Sequence, residues 1–271
     1  MPRFYLNTPL AVGQQIALPD NVVRHLNVLR LRENETVVLF NGNGIGYVAQ
    51  LNLLGKKAAQ AVILSEQPAD NESPLHITLI QAVSSGERMD FTLQKSVELG
   101  VSEIFPVSSE RSIVRLSGER ADKRVARWQD IVISACEQSG RNHIPPVHPL
   151  TSLEACLKNL PEGGDRLLMS LNQPRTLSSF THRPERIVFM VGPEGGWTPQ
   201  EERLAETAGF QAILLGKRVL RTETASLAAI AAMQTLWGDF YPPASYTHHQ
   251  ERPSETTQTF DHWQAIRAAT A

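Results

Sequence analysis

The sequence predicts an α/β protein whose main part is a mostly parallel sheet, preceded by a smaller β-rich unit. After residue 75, short apolar runs alternate with longer stretches of helical periodicity, the pattern of strand–helix–strand units. Two of the runs, ending at Val191 and Leu215, lead into glycine-bearing loops and then into helical patterns. Loops that follow parallel strands meet at one sheet edge, where ligands usually bind. We therefore expect both loops to share one pocket.

The β-rich unit is predicted over residues 1–70. A β-branched apolar run, Thr36–Phe40, leads into the turn sequence Asn-Gly-Asn-Gly at 41–44, and a second run follows at 47–51, which together predict a hairpin. A short helix is expected at 20–26, capped by Asp20. Residues 67–74 have linker composition, so the domain boundary is placed there.

The second unit is predicted over residues 75–242. The run Thr198-Pro199-Gln200-Glu201 has the features of a helix start, with a capping threonine, a proline at the first helical position and a glutamate that completes a capping box. Glycines at 100, 140 and 209 are expected to end helices. Strands are predicted at 75–83, 102–107, 166–171, 186–191 and 211–215, and helices at 86–99, 119–139, 198–209 and 222–237.

Residues 243–271 break this pattern. Serine, threonine, histidine, glutamine and proline dominate, which predicts a loosely ordered tail with a short helix at 261–268.

Composition limits the function classes. The 271 residues are 41% apolar and 20% charged, with a formal net charge of −2, which is ordinary for a globular protein in water. No run of about 18 apolar residues exists, and the N-terminus lacks the apolar core of a signal peptide. Two cysteines, Cys136 and Cys156, and the absence of metal-binding motifs favour a reduced, cytoplasmic protein without a metal.

Positive charge is concentrated in two places. Between Arg111 and Arg127 there are six basic residues and two acids, and a second basic group near the N-terminus holds Arg24, His25, Arg30 and Arg32. Such runs are either solvated helix faces or phosphate-binding surfaces, and charge alone leaves both interpretations open.

The loop at residues 192–197, Gly-Pro-Glu-Gly-Gly-Trp, is either a tight connection or a ligand cradle, and the number of small residues favours the cradle. In the other loop, Arg218, Arg221 and Glu223 stand beside a helix start, where Arg221 and Glu223 could pair or take part in binding. Neither a dinucleotide-binding fingerprint nor a phosphate-binding P-loop sequence occurs.

Two polar blocks end the first two long helices. Residues 94–100 and residues 137–141 could be exposed helix surface, or they could face the same sheet edge as the glycine loops. Their spacing does not decide between these positions.

Taken together, these blocks resemble the RsmE family of bacterial methyltransferases, which act on N3 of one uridine in 16S ribosomal RNA. The matching sequences extend to about Tyr241 and occur in the family's order. They are Arg3-Phe4-Tyr5, residues 24–30, residues 40–42, residues 95–100, Glu110-Arg111-Ser112, residues 137–141, residues 191–197 and residues 215–225.

The resemblance implies a SPOUT-type methyltransferase domain with a deep trefoil knot, an N-terminal PUA-like β-barrel that binds RNA, and a homodimer formed through the knotted region. It implies S-adenosylmethionine as the methyl donor and the small ribosomal subunit as the partner. The apolar, alanine-rich helix at 225–237 suits burial in the knot or at the dimer interface.

The resemblance also implies the site residues. Arg221 is our choice for stabilising negative charge on the uracil, with Glu223 or Glu137 as a less favoured general base. The cofactor-binding residues would be Leu171, Asn172, Gly192, Pro193, Glu194, Gly195, Gly196, Leu215, Gly216, Val219, Leu220 and Arg221. The RNA-binding residues would be Arg3, Arg24, His25, Arg30, Arg111, Arg115 and Arg141.

Three alternatives remain. The chain could be a SPOUT methyltransferase for another RNA base, a non-catalytic RNA-binding protein of ribosome assembly, or an unrelated nucleotide-binding α/β enzyme. The missing phosphate-loop fingerprints count against the last.

Overall fold

The computed structural model describes residues 1–68 and 71–240. The predicted tail at 243–271, with its helix at 261–268, lies outside the described residues, and so do two residues of the predicted linker. Within the described part the chain forms two sheets, the first from residues 3–68 and the second from residues 76–213.

The first sheet has five strands in the order β1-β3-β4-β5-β2. Only the β1–β3 pair is parallel. The predicted hairpin is present: its first strand has the predicted bounds, Thr36–Phe40, and its second, Ile45–Leu54, is longer than the predicted 47–51. The elements are β1 (Arg3–Tyr5), β2 (Gln15–Ala17), α1 (Asp20–Val28), β3 (Thr36–Phe40), β4 (Ile45–Leu54) and β5 (Ala59–Pro68).

Helix α1 begins at Asp20, but Asp20 is not its cap. The N-cap position is held by Pro19, and no side chain caps the helix. Asp20 lies instead in the first turn, where its negative charge interacts favourably with the helix dipole. The helix is held on the sheet by Val22, Val23 and Leu26, which are buried.

The second sheet has six strands, all parallel, in the order β11-β9-β10-β6-β7-β8. This confirms the predicted α/β class with a parallel sheet. The elements are β6 (His76–Ala82), α2 (Gly86–Glu98), β7 (Glu103–Ser108), α3 (Glu119–Ser139), β8 (Thr151–Ser152), α4 (Leu153–Lys158), β9 (Asp165–Met169), β10 (Arg186–Val191), α5 (Pro199–Thr207), β11 (Gln211–Ile213) and α6 (Thr222–Trp237).

Both faces of the parallel sheet are covered. One core contains side chains of α2, α3 and α6, including Leu93, Trp128 and Ile230, and the other face packs against α4 and α5. Because neither face is exposed, the central strands are apolar on both sides, as in the fully buried run of β10.

Helix ends follow the predicted chemistry. At α5 the Thr198 hydroxyl accepts from the Glu201 amide, and the Glu201 carboxylate accepts from the Thr198 amide, which is the predicted capping box. At α3, Gly140 takes the left-handed conformation with φ of 86° and ends the helix.

Strands β9 and β11 end two residues earlier than the sequence pattern predicted. The residues that follow them, Ser170-Leu171 and Leu214-Leu215, belong to loops at the carboxyl edge. The three leucines line a cleft there instead of extending the strands. Among the described residues, no helix has the length and apolarity to cross a membrane.

Candidate functional site

Three loops at the carboxyl edge of the parallel sheet enclose one cleft of about 790 Å³. They follow the neighbouring strands β9, β10 and β11, so the sheet order brings them together although they are far apart along the chain. Arg88, from the first turn of α2 after β6, completes the wall. The volume lies in the range of about 300–1,000 Å³ typical of small-molecule sites.

Glycine geometry shapes the middle loop. A Cβ on Gly192 would meet the backbone of Gly196 and Trp197 at 3.3 Å, and Gly196 has φ of +67°. The loop therefore folds back on itself more tightly than larger residues permit. Outside the loop, the Arg111 guanidinium donates to the carbonyls of Gly195 and Trp197, both at 3.1 Å. The loop is thus held from both sides.

A buried polar network connects this loop to α6. The Thr222 hydroxyl donates to the Gly192 carbonyl at 2.6 Å and accepts from the Gln81 amide at 3.2 Å. Ser226 donates to the Gln81 carbonyl oxygen at 2.7 Å. All three side chains are buried, so the network joins β6, the glycine loop and the start of α6 without access to water.

Three charged side chains meet at the wall of the cleft: Arg88 and Glu194 line it, and Glu223, which is not among the lining residues, lies next to Arg88. The Arg88 guanidinium lies 3.3 Å from Glu194 Oε1 and 4.0 Å from Glu223 Oε1. Glu194 also accepts from the Ser85 amide at 2.9 Å. Burial opposes ionisation of Glu194, but the hydrogen bonds at Ser85 and the charge of Arg88 outweigh it and keep its pKa below the usual value.

The structure brings together nearly all residues predicted for the cofactor. Leu171 and Asn172 come from the first loop, the run 192–196 from the second, and Leu215 with residues 219–221 from the third. Gly216 lies in the third loop with φ of +114° but is not among the lining residues. Arg221 is exposed at the N-cap of α6 and lines the cleft. Glu223 is two residues further along the chain, in the first turn of the helix.

Glu137 lies outside this cleft, so on this chain it cannot act as the general base there. It is on α3, and its carboxylate accepts from the Tyr5 backbone amide of β1 at 2.9 Å. Burial, opposed in part by that hydrogen bond, raises its pKa. Its partners belong to the contact between the two sheets.

The structure also argues against the predicted role of Arg141 in RNA binding. Its side chain is buried, pairs with Glu72, and donates to the carbonyls of Val97 and Val101 at 2.9 and 2.8 Å. All of these partners belong to the same chain and the Arg141 side chain is buried, so the guanidinium is not accessible to RNA.

The residues 137–144, which we call the seam segment, connect the two sheets. Asn142 is central: its side-chain oxygen accepts from the Arg3 guanidinium, and its backbone carbonyl accepts from the Gly44 amide at 3.4 Å. Ile144 lies 3.5 Å from the position a Cβ on Gly42 would occupy. Arg3 is therefore engaged in this contact rather than free on the surface.

The remaining predicted RNA-binding residues divide into two kinds. Arg24, His25 and Arg30 are exposed on and just after α1. Arg111 and Arg115 are exposed but already donate to backbone carbonyls, Arg111 to the glycine loop and Arg115 to Ser109 and Glu110.

Sequence reasoning missed Arg88 at the cleft, and also Trp197, Glu202 and Met169. Arg88 had a usable signal, because it stands in the first turn of a helix that closely follows a central strand. Among the described residues, no cluster of His, Cys, Asp and Glu suits a metal ion.

Comparison with known proteins gives consistent results. A family profile described as an RNA methyltransferase domain matches residues 71–234, and one described as an RNA methyltransferase PUA domain matches residues 18–64. The ribosomal RNA small subunit methyltransferase E of Buchnera aphidicola subsp. Schizaphis graminum is 34% identical over 241 residues, covering 88% of this chain and 98% of the relative. That of Synechocystis is 38% identical over 216 residues, covering 77% and 69%.

Two solved structures are similar over nearly their whole length. The ribosomal RNA small subunit methyltransferase E of Neisseria gonorrhoeae bound to S-adenosylmethionine is 64% identical, with a TM-score of 0.86, covering 89% of this chain and 100% of that one. A Legionella pneumophila protein in complex with the same cofactor is 36% identical, with a TM-score of 0.83, covering 88% and 98%.

Proposed function

The chain belongs to the ribosomal RNA small subunit methyltransferase E family, and on that basis we propose that it transfers a methyl group from S-adenosylmethionine to N3 of a specific uridine in 16S ribosomal RNA. The observation that carries the proposal is the single cleft formed by loops from three adjacent strands. Its rivals, a methyltransferase for another base and a non-catalytic binding protein, share the fold but differ in product or in cofactor binding.

The residues of the cleft fit this cofactor. Leu171, Leu215, Val219 and Leu220 supply apolar surface for a nucleobase, and the close-packed glycine loop presents backbone instead of side chains. Leu171 and Val219 are 72% and 88% exposed, which is costly for large apolar side chains unless a ligand covers them. These residues and the rest of the predicted cofactor set remain our assignment for the binding site, while Arg221 is assigned to the uracil.

When bound, S-adenosylmethionine supplies a methyl group on a positively charged sulfonium leaving group. The protein must then hold the uracil beside it and help N3 lose its proton. Arg221 is exposed at the cleft and carries a fixed positive charge, so we assign it to the uracil oxygens, where negative charge develops.

Glu223 is our candidate for the proton acceptor. Its side chain is 16% exposed, and its Oε2 atom has no hydrogen-bond partner among the described residues. An ionised carboxylate with a free oxygen beside the cleft has the capacity to accept a proton.

For RNA we propose the exposed basic group Arg24, His25 and Arg30 of the first unit, with Arg111 and Arg115 on the second. Phosphate contacts release counterions, so RNA affinity should fall steeply between about 50 and 200 mM salt. Replacing Arg24 and Arg30 together by glutamine should reduce the slope by about 2 on a log–log plot. A flat salt dependence in the wild-type protein would remove this assignment.

Several further properties are proposed from the family. They are a trefoil knot in the second domain, a homodimer formed through it, a cytoplasmic location, and domains over 1–70 and 75–242. The apolar side chains of Phe91 on α2 and Leu236 on α6 support a dimer, since they are 47% and 48% exposed.

The experiment combines cofactor binding and product identification. Calorimetry should show binding of S-adenosylmethionine, and small subunits from a strain lacking the gene should gain one N3-methyluridine in 16S RNA when incubated with enzyme and cofactor. Nucleoside mass spectrometry identifies the product, and transfer RNA serves as the control substrate.

Each rival has its own outcome. No cofactor binding would favour the non-catalytic protein, whereas a different methylated nucleoside would favour a methyltransferase of other specificity.

A further inference from the structure

The charged cluster of Arg88, Glu194 and Glu223 is not balanced. It holds two carboxylates and one guanidinium, contributed by the glycine loop, α6 and α2. The carboxylate side chains are 14% and 16% exposed and that of Arg88 is 39% exposed. The formal charge of the cluster is therefore −1, and the negative charges are the more deeply buried part.

Each carboxylate keeps one oxygen without a partner. Glu194 Oε2 and Glu223 Oε2 are both buried and make no hydrogen bond among the described residues. Leaving a buried charged oxygen unpaired costs free energy, so in proteins such oxygens are normally satisfied. Here the cost falls beside a ligand cleft, which Arg88 and Glu194 line.

The other charged residues of the cleft do not cancel the negative charge of this cluster. Arg218 and Arg221 are exposed, where water screens their charge, and the Glu202 carboxylate accepts a hydrogen bond from Ser170 at 2.6 Å. The cleft thus combines a partly buried cluster of net charge −1 with exposed, solvated arginines.

The proposed reaction changes the charge of the ligand in this cleft. The bond between the methyl carbon and sulfur breaks and its electron pair stays on sulfur, a bond from the carbon to uracil N3 forms, and the N3 proton passes to a base. A sulfonium cation becomes a neutral thioether, while the amino-acid part of the ligand keeps its charges.

We propose that the Glu194–Arg88–Glu223 cluster is a charge-selective element that strengthens binding of the sulfonium cofactor and not of its thioether product. This inference rests on the proposed function. In this role the cluster favours exchange of product for fresh cofactor, because its attraction is lost when the methyl group leaves.

The test compares the dissociation constants of S-adenosylmethionine and S-adenosylhomocysteine by calorimetry, without RNA and without turnover. Glu194→Gln and Glu223→Gln should each weaken binding of the sulfonium about tenfold, equivalent to about 1.4 kcal/mol, and change thioether binding less than twofold. Arg88→Gln should move the ratio of the two constants the opposite way, because it removes the positive member.

Arg218→Gln is the matched control. It removes a charge that also lines the cleft but is solvated, so the ratio should change less than twofold. Thermal unfolding of each ligand-free variant establishes that it is folded, and the opposite sign expected for Arg88→Gln keeps the test decisive if one glutamate variant does not fold.

The outcomes separate the two proposals. If the wild-type protein binds neither nucleoside, the proposed function fails. If it binds both, and the variants leave their ratio unchanged or shift it in one common direction, the cofactor assignment stands and the charge-selective role is wrong.

Discussion

The cleft and the seam segment contain the same residue types, but their charged side chains are hydrogen-bonded to different extents. Both combine glycine, glutamate and arginine where a strand or helix ends. In the seam segment the Arg141 guanidinium is bonded to Glu72 and two carbonyls and Asn142 is bonded to Arg3 and Gly44, although Ser139 Oγ and Arg3 Nε have no partner among the described residues. In the cleft, Glu194 and Glu223 each retain an unpaired oxygen.

This difference separates structural from ligand-directed charge. A polar group that serves only the fold gains most when all its bonding capacity is used internally. A group that awaits a ligand keeps part of that capacity free. Charge and glycine content do not distinguish the two cases, whereas the hydrogen-bond partners do.

The largest expected effect tests the structural role of the seam segment. Arg141→Gln leaves Glu72 without its partner and removes a donor from the carbonyls of Val97 and Val101, of which Val97 still accepts from the Gly100 amide, so the free energy of unfolding should fall by about 3–5 kcal/mol. Urea denaturation measures it. Arg120→Gln, an exposed residue of α3, is the control and should change stability by less than about 0.5 kcal/mol.

If Arg141→Gln left stability unchanged and lowered only RNA affinity, Arg141 would be an RNA-binding residue. The contrast between structural charge in the seam segment and ligand-directed charge in the cleft would then be wrong.

The second largest expected effect is on the rate of methyl transfer, and it tests the role of Arg221 in the cleft. Arg221→Ala should lower the rate of methyl transfer about 10²–10³-fold, the usual loss when one group that stabilises developing charge is removed. The dissociation constant of S-adenosylmethionine should change less than threefold, because the side chain is exposed at the rim. Single-turnover kinetics and calorimetry measure the two quantities, and an equal loss in both would assign Arg221 to cofactor binding.

A smaller effect uses Cys136 as a reporter of the seam segment. Burial raises the pKa of Cys136 and of Cys156 to about 12, so both thiols should resist iodoacetamide at pH 8 in the native protein. The Cys136 thiol donates to the His143 carbonyl, and Asn142 is its neighbour in the segment.

Asn142→Ala removes the side-chain hydrogen bonds to the Arg3 guanidinium and to the Gly44 carbonyl, so alkylation of Cys136 should accelerate about tenfold through local opening. Peptide mass spectrometry distinguishes the two thiols. Cys156 lies in the core on the opposite face of the sheet and serves as the internal control. Equal acceleration at both cysteines would mean global destabilisation and not an opening of the seam.

The smallest effect is a pH dependence of opposite sign in the two regions. The pKa of Glu194 is lowered on folding, so its ionised form adds stability above the unfolded pKa of about 4.3, and this is lost as the pH falls through the folded pKa. The pKa of Glu137 is raised by burial, so its ionisation costs stability as the pH rises above the unfolded value.

At pH 7, Glu194→Gln should therefore lower the melting temperature by about 1–2 °C and Glu137→Gln should raise it by a similar amount, with both differences shrinking towards pH 3. Scanning calorimetry at the two pH values measures this. Shifts of the same sign would contradict the comparison.

Much of the fold could be predicted from local patterns. Helices α3 and α6 and strand β10 have the predicted bounds, because their apolar periodicity coincides with clear stop signals such as Gly140. Strand β5 and helix α4 were not predicted. The short strands β1, β2 and β8 were also missed. Each has only two or three residues and gains its identity from pairing with a distant strand, which leaves no periodicity to detect.

Most of the cleft could be predicted for a related reason. In a parallel sheet the loops that follow adjacent strands converge, so the glycine-rich loops at 192–196 and 214–221 indicated a shared site. Arg88 was not predicted, because its place in the wall depends on β6 being the neighbour of β10, which is a matter of sheet order.

By itself the sequence determined the parallel α/β class, the glycine loops, the capping box at Thr198 and the family. Each depends on residues close together in the chain, where backbone preferences and short-range hydrogen bonds act. Only the tertiary structure decided that Arg141 and Glu137 serve the contact between the sheets while Arg88 joins Glu194 and Glu223 in the cleft. The function of a charged side chain depends on which distant groups satisfy it, and burial and hydrogen bonding across the fold set those partners.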